Sequence, residues 1–85
     1  MKNYAPVFNE SAMLALLKEP ARERQRLLDF VDRLAGLLER GADFHETSQQ
    51  GQVFYVAYHN DWLVTYWPDH AVKELRVVEL ERAND

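Results

Sequence analysis

Gln52-Val53-Phe54-Tyr55-Val56-Ala57-Tyr58-His59-Asn60-Asp61-Trp62-Leu63-Val64-Thr65-Tyr66-Trp67 is the stretch on which the fold turns. Both halves are rich in β-branched and aromatic residues, which favour a pleated, packed surface. Between them, Asn60 and Asp61 tolerate positive φ and suit a two-residue hairpin turn. That turn sets His59 opposite Trp62, Ala57 opposite Val64 and Tyr55 opposite Tyr66. Side chains alternate along a strand, so one face carries Val53, Tyr55, Ala57, Trp62, Val64 and Tyr66. The other carries Phe54, Val56, Tyr58, Leu63, Thr65 and Trp67. Both faces are apolar.

Outward from the hairpin, Pro68-Asp69-His70 is expected to break the second strand, and Leu75-Arg76-Val77-Val78-Glu79-Leu80 forms a third. Upstream, Ala42–Gly51 is a polar stretch without strand character. Before it lies an amphipathic helix, in which Leu27, Phe30, Val31, Leu34, Leu37 and Leu38 recur at intervals of three and four. Pro20 opens that helix at its first position, Arg40 lies in its last turn, and Gly41 suits the residue after its end. A shorter helix precedes it, capped by Asn9, with Ala12, Met13, Leu16 and Leu17 as its apolar stripe. Tyr4-Ala5-Pro6-Val7-Phe8 reads as a short strand, placed at a sheet edge by Pro6. The expected fold class is α+β in two layers: a short N-terminal strand, a helical hairpin, then a three-stranded antiparallel meander, all in a single domain over residues 1–85.

Eighty-five residues, 47% hydrophobic and 12% aromatic, suffice for one core and exclude a disordered chain. No apolar run approaches the roughly 20 residues of a membrane span. The absence of cysteine excludes disulfide scaffolds, thiolate metal sites and cysteine nucleophiles. No cofactor motif is present. With no export signal in the N-terminal residues, the expected compartment is the cytosol. His45, His59 and His70 share no helical or strand spacing suited to a metal, and they read as surface residues; a catalytic role would fall nearest to His59 or His70.

The net charge of −4 is unevenly spread. Residues 20–40 hold five arginines interleaved with four acids and total +1, as on a solvated, ion-paired helix face. Residues 41–85 set Lys73, Arg76 and Arg82 against eight acids and total −5. Nucleic-acid affinity relies on cations that displace condensed counterions, so direct nucleic-acid binding by this half is not expected.

In order and spacing the segments resemble the RelE/ParE superfamily of bacterial toxins. Val7-Phe8-Asn9-Glu10-Ser11-Ala12 with Leu16-Leu17 is similar to the family's strand-to-helix opening, and Pro20-Ala21-Arg22-Glu23-Arg24 with Leu27-Leu28 to its second helix. Asn60-Asp61-Trp62-Leu63-Val64-Thr65-Tyr66 resembles its central strand, and Leu75-Arg76-Val77-Val78 its last. The resemblance implies a toxin-like component of a toxin–antitoxin module. Its implied partners are an antitoxin-like protein and a target such as gyrase or the ribosome. In the RNA-cleaving relatives the central strand supplies an arginine where this chain has Leu63. Arg76 and Arg82 are the only residues standing for the last-strand arginines. The reading is therefore action through protein contacts, with a non-toxic binding module or dimerising adaptor as alternative. Weak ribosome-dependent mRNA cleavage through Arg76 and Arg82 is a lower one. Two helices cover only one sheet face, so Phe54, Val56, Tyr58, Leu63 and Trp67 are the expected partner-binding residues.

Overall fold

A computed structural model describes residues 3–83. The parts of the N-terminal and tail readings that fall on residues 1, 2, 84 and 85 lie outside the described residues. Five strands form one sheet: β1 (Ala5–Phe8), β2 (Phe44–Thr47), β3 (Val53–His59), β4 (Trp62–Asp69) and β5 (Glu74–Arg82), in the order β1-β5-β4-β3-β2. Two helices, α1 (Glu10–Leu17) and α2 (Ala21–Leu37), lie between β1 and β2 in the chain and pack on one face. β1 returns to pair in parallel with β5, and all other neighbours are antiparallel. No helix among the described residues is long and apolar enough to cross a membrane.

Local chemistry sets each element. The Asn9 side chain accepts from the Ala12 N–H at 2.9 Å and caps α1. Pro20, extended at ψ 158°, stands just outside α2 as its N-cap. The β3–β4 hairpin has the expected register, Tyr55 opposite Tyr66 and His59 opposite Trp62. Asn60, at φ +55°, supplies the left-handed residue of the turn.

Besides the one-residue shift of Pro20 from the first helical position to the N-cap, the structure departs from the sequence reading in four places. The meander has four strands, because β2 forms within the stretch read as polar loop. Every residue of β2 is exposed, so it carries no hydrophobic alternation; it forms because β3 offers a free edge, with Phe44 opposite Val56. Asp43 anchors it: its N–H donates to the Val56 carbonyl at 2.8 Å and its carboxylate accepts from the Tyr58 N–H at 2.7 Å. Second, Pro68 does not end β4. The β3 pairing stops at Tyr66, so Pro68 stands where β4 has become an edge and its missing N–H is tolerated.

Third, α2 ends at Leu37 rather than at Arg40. Leu38 takes φ +57°, and a single 3-10 turn runs over Leu38–Gly41. Gly41 suits the tight packing here, since a Cβ would lie 2.8 Å from a terminal methyl of Leu34 and 3.2 Å from the Leu37 Cβ, so those side chains would have to shift. Fourth, Met13, Leu17 and Leu37 are exposed rather than packed. α1 sends Ala12 and Leu16 into the core with Ala15 packed beside them, and α2 sends Leu27, Val31, Leu34 and Ala35, flanked by Leu28 and Phe30. Against them the sheet presents Ala57, Trp62, Val64, Tyr66, Leu75, Val77 and Leu80.

Candidate functional site: the open face of the sheet

The cross-strand register determines which side chains share the face that no helix covers. From β3 come Phe54, Val56 and Tyr58, and from β4 Leu63, Thr65 and Trp67. β2 adds Phe44 and Glu46, opposite Val56 and Phe54. The β4–β5 pairing adds Arg76, Glu79 and Glu81, opposite Trp67, Thr65 and Leu63. All five expected partner-binding residues therefore stand together. Tyr58 is 51% and Phe44 41% exposed, Phe54, Leu63 and Trp67 are half-buried, and Val56 is buried outside the helix-facing core. The Phe44 and Tyr58 rings meet at 6.0 Å between centroids.

Glu46, Glu79 and Glu81 are exposed around this apolar strip. Arg76 is the one basic residue that the register places on the face among the described residues. It is engaged: its Nε meets Asp69 at 3.1 Å, a terminal nitrogen meets Glu74 at 2.9 Å, and its guanidinium lies over the Trp67 ring at 5.7 Å.

Arg76 and Arg82 are not brought together. Strict alternation would put both on one face, but β5 carries a bulge. Thr65 pairs with Glu79 while Tyr66 pairs with Val77, which leaves Val78 as the extra residue. Arg76 therefore joins the open face and Arg82 the helix side, opposite Trp62. There its two terminal nitrogens meet Asp61 at 2.8 Å and Glu19 at 3.0 Å, and its guanidinium lies 4.6 Å from the Trp62 ring centre. Loss of hydration pulls the Arg82 pKa down, but the Asp61 and Glu19 carboxylates outweigh it and leave the net shift upward. The Trp62 indole donates to Glu23 at 2.7 Å, so this cluster ties the helical hairpin to the strand hairpin.

The histidines separate. His45 lies beside Tyr55, and His59 stacks on Phe30 at 4.5 Å. His70 joins a chain that sequence reasoning missed: Tyr4 Oη lies 2.6 Å from its Nδ1, and Glu39 2.8 Å from its Nε2. The chain clasps the β4–β5 connection to β1 and the 3-10 turn, beside a shallow cleft of about 280 Å³ lined by Gln52, Tyr55, Trp67 and Pro68. Partial burial pushes the Glu39 carboxyl up, yet the His70 hydrogen bond, a backbone hydrogen bond and the His70 charge bring it below its ordinary value. Burial, reinforced by Glu39, Tyr55 and Asp43, pushes the Tyr66 phenol up to about 12. Its hydroxyl donates to the Leu38 carbonyl at 2.7 Å.

With this architecture the chain is similar to two solved toxin–antitoxin structures. One is the RelBE2 complex from Mycobacterium tuberculosis, with TM-score 0.76 and 15% identity over 95% of this chain and 99% of that one. The other is the archaeal RelE–RelB complex from Pyrococcus horikoshii, with TM-score 0.73 and 20% identity over 98% of each chain. The fold is RelE-like. No family model matches the sequence, and no curated protein matches it. In this RelE-like fold, Leu63 occupies the middle of the open face, where the sequence resemblance implied an arginine in the cleaving relatives. What the sequence could not reveal was the acidic border, because the side on which Glu79 and Glu81 project depends on the bulge.

Proposed function

We propose that this protein is the toxin-like component of a toxin–antitoxin module, acting through protein contacts, with its open sheet face covered by an antitoxin segment. The observation that carries this reading is the contiguous strip of Phe44, Phe54, Val56, Tyr58, Leu63 and Trp67, bordered by acids and holding no unpaired arginine. A surface that grips RNA needs cations for the charge that develops on phosphate. Here Leu63 is apolar, Arg76 is held by two carboxylates, and Arg82 faces the other side of the sheet. A large aromatic is worth roughly 1.5–3 kcal/mol when fully buried, so a partner that covers several gains substantially. Toxicity then comes from contact with a target such as gyrase or the ribosome in the cytoplasm.

Induced expression of the chain alone in a bacterial host tests the reading. The expected outcome is growth arrest with intact mRNA by primer extension. Codon-specific cuts abolished by Arg76→Ala would overturn it in favour of ribosome-dependent cleavage. Unimpaired growth would favour a non-toxic binding module of the same fold.

A further inference from the structure

Taking the proposed docking role of the open face as its premise, we infer that the segment which covers it is an amphipathic helix carrying lysine or arginine along both flanks. Charge is the first reason. The apolar strip on β3 and β4 lies between Glu46 of β2 on one side and Glu79 and Glu81 of β5 on the other, all three exposed. Arg76, the single cation that the register places on this face among the described residues, is already paired with Asp69 and Glu74. An acidic segment would bring like charges against both borders, whereas a basic one completes them.

Geometry is the second reason. From β2 to β5 is three strand spacings, about 14 Å. An α-helix with its side chains is about 10–12 Å across, so a helix lying along β3 and β4 reaches both acidic rows with its flanks. The same arrangement disfavours a second copy of this chain. A two-fold interface through this face is self-complementary and would set the three glutamates of one copy against those of the other. It equally disfavours a nucleic-acid backbone.

The probe is a pair of fluorescein-labelled synthetic helical peptides of 18 residues with one identical leucine-alanine face. One carries lysine and arginine on its flanks and the other glutamate. Anisotropy titrations with the full chain are run in low and high salt. The basic peptide should bind about 10-fold or more tightly than the acidic one at low ionic strength, with the gap narrowing as salt screens it. Glu79→Lys with Glu81→Lys should reverse the preference at unchanged melting temperature, and Trp67→Ala should weaken both peptides. Equal binding, or preference for the acidic peptide, overturns the inference and leaves the docking role standing. If neither peptide binds, the docking role itself fails. A dimer in light scattering that Trp67→Ala dissociates shows a second copy on the face, and overturns the inference as well.

Discussion

The two faces of this sheet are built from the same alternating strands and meet opposite environments. On the helix side Tyr66, Val64, Val77 and Leu75 have no exposed surface, Trp62 has 3%, and the polar tips of Tyr66 and Trp62 find Leu38 and Glu23. On the open side an equally aromatic set is half-exposed, and among the described residues its charged neighbours are acids and an Arg76 already held by two carboxylates. Composition alone does not distinguish a buried sheet face from an open one. What separates them is whether a helix lies over the strand and whether each polar group is satisfied within the chain.

The sharpest way to break this contrast is truncation on each side. Leu27→Ala, on the α2 face that packs against the sheet, should cost about 2–5 kcal/mol in urea denaturation, as buried leucines do. Tyr58→Ala, on the open face, should change stability by no more than about 0.5 kcal/mol. Similar losses would mean that the open face belongs to the core.

A smaller effect tests Tyr66. Its folded-state pKa of about 12 lies above the ordinary 10, so the fold favours the neutral phenol. The resulting stabilisation is fully present below pH 10 and is lost as the pH rises towards 12. At about 1.4 kcal/mol per unit it amounts to roughly 2–3 kcal/mol, visible as a steep alkaline limb in denaturation at successive pH values. Tyr66→Phe should flatten that limb.

The arginines should differ by less. Arg82→Ala releases Glu19 and Asp61 and uncovers Trp62, so it loosens three elements at once. Arg76→Ala releases Asp69 and Glu74, neighbours at the joined ends of β4 and β5, and a longer contact with the half-exposed Trp67 ring. Thermal melts should show the larger fall for Arg82→Ala, and hydrogen exchange should accelerate at the Asn60-Asp61 hairpin in that variant alone.

The smallest effect concerns Glu39. Its carboxyl is held below the ordinary value, so its contribution to stability is present above pH 4.5 and fades as the pH falls through the lowered value. His70→Ala should raise the Glu39 titration midpoint in carbon-detected NMR and remove this part of the acid dependence. An unmoved midpoint would show that the clasp does not act on Glu39.

Much of the fold was legible because it rests on short-range rules. The Asn60-Asp61 turn set the hairpin register, Asn9 and Pro20 marked the helix starts, and the spacing of Leu27, Val31 and Leu34 identified the packed helix face. The five partner-binding candidates followed from alternation along two strands. Less legible was β2, whose residues are all exposed and which forms on an open neighbouring edge with Asp43 as its anchor. The continuation of β4 through Pro68 depends on where β3 stops pairing, which neither strand announces alone.

Two helices, a hairpin with its register, and two apolar faces of which the helices could cover only one are all readable along the chain. Those features arise from periodicity and turn chemistry within a few residues. Tertiary structure alone decided which charges share the open face. One extra residue at Val78 shifts the parity of β5, sending Arg76 to the open side with Glu79 and Glu81, and Arg82 to the helix side against Glu19 and Asp61. A bulge follows from how one strand is matched to its neighbour, so no pattern along β5 could have revealed it.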